Sequence, residues 1–255
     1  MDKMAFNPFP TFAFFFVALW LSAHIGAYYR RRRQNLREGE REDAGIILTA
    51  TLTLLGLIIG FSFSMAVTRY DQRKNYEEEE ANAIGTEYVR AGLLPAPDAM
   101  KVRGLLRTYL DQRVSFYVTR DMSRLEQINT STAELQTSLW SAVQAAAGAQ
   151  PTPVVALAVS GMNDVLNSQG YAQAASWNRI PTAAWCLMGA IAICAHLLVG
   201  YLAQDTEAKL TRFVFLPLIV AIAFFLIAEM DSPRRGVIRV VPQNLLNLSR
   251  SLSPQ

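Results

Sequence analysis

Residues 45–73 decide the fold, and they read GIILTATLTLLGLIIGFSFSMAVTRYDQR. The segment starts inside an apolar run, residues 44–68, which is long enough to cross a bilayer because a membrane helix needs about 20 apolar residues. At Arg69 it passes straight into charged sequence, with no proline or glycine to end a helix. We therefore predict one helix that crosses the membrane and continues beyond it.

Three further apolar runs predict three further membrane helices, at residues 11–29, 183–203 and 213–228. The first of these runs ends at four consecutive arginines and not at a small-residue cleavage site, which favours an uncleaved helix over a signal peptide. The last run is short and contains Pro217, so a re-entrant or interfacial segment is the alternative to a full span.

The long segment between the second and third membrane helices is predicted to be a helical bundle. Residues 69–182 show no strand-like alternation, and their apolar residues recur at helical spacing. The first helix ends at Pro95, the second begins with Asp98 as its N-cap, and the fourth covers residues 154–175. The third, residues 123–147, has a packing stripe formed by Leu125, Ile128, Thr132, Leu135, Leu139 and Val143.

The predicted fold class is an all-α integral membrane protein with four transmembrane helices and a helical extramembrane bundle between the second and third. Residues 1–68 hold the first two membrane helices, 69–182 the bundle, 183–230 the last two membrane helices and 231–255 a C-terminal tail. The tail contains a β-favouring stretch, residues 236–241, that is too short to form a sheet alone.

The basic residues give opposing signals for orientation. The loop at residues 30–43 holds six arginines, and the positive-inside rule places it in the cytoplasm. With Lys209 and Arg212 that side has eight basic flanking residues, against seven on the other side. The seven are Lys3, Arg69, Arg73, Lys74, Arg234, Arg235 and Arg239. We therefore expect this loop to lie in the cytoplasm.

The second membrane helix carries a stripe of residues that recur every three or four positions. The stripe consists of Thr49, Thr53, Leu57, Phe61, Ser64 and Thr68. Hydroxyl groups stand at both of its ends and apolar side chains in its middle. In a channel, hydroxyls help to solvate an ion and an apolar ring gates by dewetting. The stripe predicts a pore-lining face, followed by Arg69 and Arg73 as charges at the membrane exit.

The same stripe has a purely structural alternative. Threonine and serine in membrane helices often bond the carbonyl four residues back, or hold neighbouring helices together. Gly56 and Gly60 form a small-residue pair on an adjacent face, which predicts close packing of this helix against another. From spacing alone both interpretations stay open.

Other functions find little support in the sequence. No phosphate-binding glycine loop, metal-spaced Cys/His set or nucleophile elbow appears, so we expect neither an enzyme nor a cofactor. A net charge of +3 gives no reason to expect nucleic acid as a partner. The glutamates at residues 77–80 could bind calcium, but consecutive residues diverge around a helix, so a solvated or arginine-paired surface is favoured. His24 and His196 are interpreted as neutral side chains bonded to neighbouring helices.

Several motifs resemble known membrane proteins. Gly60-Phe61, followed after seven intervening residues by Arg69-Tyr70, resembles the second membrane helix of bestrophins, a family of pentameric anion channels. More closely, RYD at residues 69–71 with EANAIGT at residues 80–86 resembles the bacterial bestrophin-like domain family. The closing RGVIRV at residues 235–240 is similar to the end of that family, so the resemblance covers most of the chain.

This resemblance implies a homo-oligomeric channel, pentameric and anion-conducting, that is embedded in membrane lipid and takes inorganic anions. In bestrophins three apolar rings of the second helix form the neck, which implies Thr53, Leu57 and Phe61 here. Thr53 departs from the apolar pattern, so a shorter or wetter constriction is expected. The calcium clasp of animal bestrophins has no clear match. Bestrophins also keep the helical domain in the cytosol, which is opposite to the orientation that the arginines at residues 30–33 favour.

A different class of function is the alternative. The chain would then be a non-conducting membrane scaffold or sensor whose helical bundle binds a protein partner. The packing stripe of residues 123–147 would be its docking face.

Overall fold

The structure is a computed structural model that describes residues 7–32, 38–203 and 211–253. Lys3, Arg33, Arg37 and Lys209, which contributed to the predicted orientation, lie outside the described residues, as does the side chain of Arg212.

The described part of the chain is almost entirely helical. Its elements are α1 (Pro8–Arg32), α2 (Glu38–Arg90), a 3-10 turn (Ala91–Leu93), α3 (Ala96–Val118), α4 (Met122–Ala149), α5 (Pro153–Trp177), α6 (Thr182–Tyr201), a π-helical turn (Thr211–Phe215), α7 (Leu216–Asp231) and α8 (Gln243–Leu252). Four helical stretches are long and apolar enough to cross a membrane, and they contain α1, α2, α6 and α7. The predicted all-α membrane fold with four membrane helices is confirmed.

The helix boundaries follow from the prolines. α2 continues for 53 residues without a break, as predicted, and the chain becomes extended at Leu94, because the residue before a proline disfavours the helical conformation. The prediction of Asp98 as an N-cap is wrong, since α3 begins two residues earlier with Pro95 at the cap position. Asp98 instead lies in the first turn, where a carboxylate is favoured by the helix dipole. Pro217 similarly lies at the start of α7 and leaves a 19-residue helical span, Phe213–Asp231.

The chain divides into two compact units, which are described separately. The membrane unit comprises Met1–Arg69 and Arg179–Arg239, and the helical unit comprises Tyr70–Asn178 and Val240–Gln255. The described residues of each unit have their own hydrophobic core.

In the membrane unit, α1 and α6 touch backbone to backbone. A Cβ added at Gly26 would collide with the carbonyl of Leu197, and one added at Gly200 would collide with the carbonyl of Ala23. The Ser22 hydroxyl donates to the carbonyl of Ile193 at 2.7 Å across the same contact. Small residues permit this approach, which gives membrane helices their packing energy in the absence of a hydrophobic driving force.

In the helical unit, α4 packs as its sequence predicts, and α8 is an element that the sequence analysis did not identify. Leu139 and Val143 of the α4 stripe are fully buried, and Leu125, Ile128 and Thr132 are at most 9% exposed. α8 buries Leu245 completely and places Leu248 against Gly85, where an added Cβ would come within 3.2 Å of Leu248.

The acidic run at residues 77–80 is half buried. Glu77 and Glu80 share one face of α2 and are inaccessible, whereas Glu78 and Glu79 are exposed. Glu80 forms an ion pair with fully buried Arg113, so the favoured arginine pairing occurs inside the unit and not on its surface. Glu77 accepts hydrogen bonds from the backbone N–H of Leu245 at 3.0 Å and from the amide of Asn244 at 2.8 Å. It therefore holds the start of α8, whose first N–H groups lack partners within the helix.

Glu87 is a buried carboxyl of a different kind. Its side chain is 0% exposed, and neither carboxyl oxygen has a hydrogen-bond partner among the described residues. It fits over Gly161 of α5, where an added Cβ would collide with Oε2. Burial raises the pKa of Glu87 from 4.5 to about 8, with nearby Arg90 lowering it and Asp164 raising it. At neutral pH the buried carboxyl is therefore largely protonated.

Glu87 should make the helical unit less stable as the pH rises. Between pH 4.5 and 8 the unfolded chain has already released this proton while the folded chain keeps it, so stability falls with pH. The slope is at most about 1.4 kcal/mol per pH unit. Glu87→Gln should remove this loss of stability. The difference in melting temperature between the variant and the wild type should therefore shift in favour of the variant from pH 5 to pH 8. Thermal unfolding of the full chain in detergent measures this.

Glu78→Gln is the matched control for this measurement, because Glu78 is an exposed acid on the same helix. It should leave the pH dependence unchanged. An advantage of Glu87→Gln that is constant across the pH range would contradict the raised pKa.

Candidate functional site

All six residues of the predicted stripe lie on the exposed surface of α2. Phe61 is 64% exposed and Leu57 is 53% exposed. The other four, Thr49, Thr53, Ser64 and Thr68, are exposed as well. In the most apolar 18-residue stretch of α2 only 6% of the residues are buried, against 33–44% in the corresponding stretches of the other three candidate spans. α2 therefore leaves most of its membrane surface without a partner among the described residues of its chain.

α2 is attached to the membrane unit by the face opposite the stripe. Leu55, Ser62 and Ala66 are the buried residues of this part of the helix. At 3.6 residues per turn they lie about 180° around the axis from the centre of the stripe. Leu55 and Ala66 join the core of the membrane unit. The packing of the chain thus presents the stripe outward.

The threonine hydroxyls of the stripe are bonded within α2. Thr49 donates to the carbonyl of Gly45 at 3.0 Å, Thr53 to that of Thr49 at 2.8 Å, and Thr68 to that of Ser64 at 2.9 Å. These are the i−4 bonds of the structural alternative. Since each hydroxyl hydrogen is used by the backbone, these groups offer oxygen lone pairs, and not hydrogen-bond donors, to anything that faces the stripe.

The side chains on the two sides of the stripe differ in size. Gly56 and Gly60 lie on one flank, and an added Cβ at either glycine would meet open space. Leu54 and Met65 lie on the other flank and are 46% and 49% exposed. The predicted close packing at the glycines is therefore absent within a single described chain.

Arg69 and Arg73 lie on the attached side of α2 and not on the stripe. Arg69 Nη1 is 3.3 Å from Asp231 Oδ1, and both side chains are largely buried, with 14% and 9% exposure. The same Asp231 oxygen accepts the backbone N–H of Ile180 at 3.0 Å. Arg73 is 5% exposed. Arg69 is consequently neutralised by an acidic partner, and its structural role is to join α2 to the end of α7.

The motif at residues 235–240 closes the end of α7 around a buried carboxylate. Glu229 is 1% exposed and accepts the backbone N–H groups of Val237 at 2.7 Å and Ile238 at 3.1 Å. A Cβ at Gly236 would collide with the same carboxylate. Glu229 and Asp231 are therefore buried acceptors of backbone N–H groups at the end of α7. The sequence signal for both was the pair of acids at the end of an apolar run, beside a glycine and several arginines.

Each histidine contacts a carbonyl of its own helix, and the buried His196 also interacts with the backbone of Leu216 at the start of α7, so the prediction of a bond to a neighbouring helix fits His196. His24 Nδ1 is 2.9 Å from the carbonyl of Trp20, and His196 Nδ1 is 2.7 Å from that of Ala192. Among the described residues no three His, Cys, Asp or Glu side chains lie together as a metal site requires.

Comparison with known proteins identifies the architecture. A model of the Bestrophin-like domain family matches residues 14–245 of the chain. Crystal structures of a bacterial bestrophin homolog from Klebsiella pneumoniae have the same fold. One has a TM-score of 0.66 at 13% sequence identity and covers 96% of this chain and 99% of its own. Another has a TM-score of 0.62 at 14% identity, with 93% and 98% coverage. No curated protein matches the sequence.

The exposed stripe can be tested by thiol accessibility. Cysteine at Leu57 or Phe61, in a chain whose exposed Cys186 and Cys194 are replaced by serine, should react with a charged, water-soluble thiol reagent if the stripe faces water. Thiols react as thiolates, which a lipid environment suppresses. Labelling would be measured by mass spectrometry on the protein in lipid vesicles.

Two further positions control this experiment. Leu55→Cys is buried and should not react, and Leu187→Cys on α6 is 54% exposed, like Leu57, but faces outward from another helix. Equal labelling at Leu57→Cys and Leu187→Cys would show that the stripe has no special access to water.

Proposed function

This chain belongs to the bestrophin-like domain family, and on that premise we propose that it forms a homo-oligomeric ion channel with a preference for anions. The observation that supports this best is the outward position of the polar–apolar–polar stripe of α2. A single helix cannot enclose a pathway, so the stripe lines one only when several copies place it around a common axis. Five copies are expected by resemblance to bestrophins. We place the assembly in a bacterial inner membrane, with the loop at residues 30–43 in the cytoplasm.

The proposed neck consists of Thr53, Leu57 and Phe61. Leu57 and Phe61 would form two apolar rings that exclude water when the pathway is narrow. The Thr53 hydroxyl donates its hydrogen to the carbonyl of Thr49, so a ring of Thr53 would present methyl groups and oxygen lone pairs to the pathway. The constriction would thus be two rings long, with a weakly polar third ring. Thr49, Ser64 and Thr68 would line the wider parts.

The anion preference rests on the family resemblance and not on a charged side chain in the stripe. Arg69 is paired with Asp231, and Arg73 is buried, so neither offers a free positive charge to the pathway. Selectivity would then depend on the potential at the two mouths of the pore and on how readily an ion is dehydrated in the neck. Inorganic anions are the proposed permeant ions, and membrane lipid surrounds the assembly.

The packing of α4 counts against the scaffold alternative. The stripe that would serve as its docking face is buried inside the helical unit, where Leu139 and Val143 are fully inaccessible. Family membership likewise gives no support to catalysis. A channel is the function that we carry forward.

Neck substitutions should change conduction in a specific way. Phe61→Ala and Leu57→Ala remove apolar surface from the proposed rings, so each should raise the open probability or conductance of the reconstituted protein several-fold. Single-channel recording in planar bilayers measures this, and the reversal potential in a chloride gradient measures the ion preference. Leu187→Ala, an equally exposed leucine on α6, should behave as the wild type.

Three results would contradict the proposal in different parts. An absence of current from a verified oligomer rejects conduction. A reversal potential at the cation equilibrium rejects the anion preference alone. Unchanged currents in both neck variants reject the assignment of the neck to α2.

The open space at Gly56 and Gly60 predicts where copies meet. Gly56→Leu fills open space in the single chain, so the fold should keep its helical content, but the variant should lose its oligomer if a neighbouring α2 occupies that space. Native mass spectrometry gives the stoichiometry. Ala190→Leu enlarges an exposed small residue of α6 and is the control, expected to remain assembled. An oligomer that survives Gly56→Leu would place the interface elsewhere.

A further inference from the structure

An open cavity of about 490 Å³ lies beside the C-terminal end of α1, away from the α2 stripe. Its walls are Trp20, His24, Ala27, Tyr28 and Arg31 of α1, with Phe213 and Val214 before α7. We propose that this cavity binds one anionic phospholipid, with the phosphate at Arg31 and an acyl chain against Trp20. The proposal does not depend on whether the protein conducts ions.

The cavity changes from charged to apolar along the direction in which a lipid lies. Trp20, His24, Ala27 and Arg31 are spaced by four, three and four positions, and Tyr28 is four positions after His24, which places these α1 residues on one face of the helix. Arg31 is in the last turn of α1, and Trp20 is 11 residues earlier, about 16 Å deeper in the membrane. A phospholipid has the same order of chemistry over that depth, with its charge at the surface and hydrocarbon below.

The charged end of the cavity favours an anion. Arg31 is exposed and forms no ion pair with the described residues, so its guanidinium is available to a phosphate. The guanidinium of Arg32 lies 4.8 Å from the ring centroid of Tyr28, which keeps a second cation at the rim. Arginine clusters at the ends of membrane helices attract anionic head groups, by about 1 kcal/mol per basic residue near the surface.

The deeper end is an aromatic wall in which one ring nitrogen has no hydrogen-bond partner among the described residues. The rings of Trp20 and His24 have centroids 4.1 Å apart, and those of His24 and Phe213 are 4.8 Å apart. Because the Trp20 carbonyl can only accept a hydrogen bond, Nδ1 of His24 carries the proton, and Nε2 is the nitrogen left for a ligand. Tyr28, one turn before Arg31, would lie at the level of the lipid head groups, where aromatic side chains are favoured.

Arg31→Gln tests the proposal in the full-length protein. The purified chain in detergent would be titrated with phosphatidylglycerol or with phosphatidylcholine of the same acyl chains, and bound lipid counted by native mass spectrometry. The wild type should prefer the anionic lipid, and Arg31→Gln should weaken its binding about fivefold. Arg41→Gln, which removes an exposed arginine from the start of α2, should leave the preference unchanged.

The remaining outcomes separate other occupants. Fluorescence of Trp20, obtained by difference from Trp20→Phe, should be quenched by brominated phosphatidylglycerol if the acyl chain enters the cavity. Displacement of the lipid by millimolar inorganic phosphate would show a phosphate site without lipid specificity, and would overturn the proposal. Equal binding of both lipids would also overturn the proposal. A Tyr28→Cys variant that cross-links between subunits while Trp20 stays unquenched would overturn it too, because a second copy of the chain would then fill the cavity.

Discussion

The structure of the membrane unit depends on one constraint. A helix in lipid must provide hydrogen-bond partners for its own polar groups, because no water is available there. α2 meets this demand by continuous helical hydrogen bonding, and it also directs the hydroxyls of Thr49, Thr53 and Thr68 to its own carbonyls. A helix whose polar groups are all hydrogen-bonded internally needs few contacts with the other helices of its chain, and α2 makes few in the membrane unit. Its narrow attachment, centred on Leu55 and Ala66, leaves most of its membrane surface exposed.

Outside the membrane stretch, carboxylates give α2 its specific contacts. Glu80 pairs with Arg113 and also accepts the phenol hydroxyl of Tyr117 at 3.2 Å. Burial, reinforced by the charge of Glu80, raises the pKa of Tyr117, which keeps that phenol protonated as a donor. Removing either Glu80 or Arg113 would leave the other charge buried without its partner. This costs more folding free energy than the intact pair contributes. The acidic run of α2 therefore selects one arrangement of α3 and α8.

Sequence patterns gave the membrane fold because they report on the lengths and periods that a bilayer requires. The four spans, the uninterrupted α2 and the packing face of α4 all follow from apolar spacing. α8 was not identified, because its ten residues have a single fully buried side chain, Leu245, and depend on Glu77 for their start. Leu245, Leu248 and Leu252 nevertheless recur at helical spacing and pack on the core of the helical unit, and this stripe was the signal that could have revealed the helix.

The positions of the stripe residues were predictable, but their partners were not. Spacing could group Thr49 to Thr68 on one face, whereas only the packing of Leu55 and Ala66 tells which way that face points. Arg69 looked in sequence like a free charge at the membrane exit. Its partner Asp231 is 162 residues away, and a pairing over that distance has no local signature.

The contact between α1 and α6 has a consequence for how the protein is made. Gly26 and Gly200 fit against one another's helices, yet they are about 170 residues apart in the chain. At a synthesis rate of about 5–20 residues per second, α1 leaves the ribosome on the order of ten seconds before α6 exists. During that interval α1 has to stay in the bilayer without its main partner, so the membrane unit cannot close until nearly four fifths of the chain has been translated.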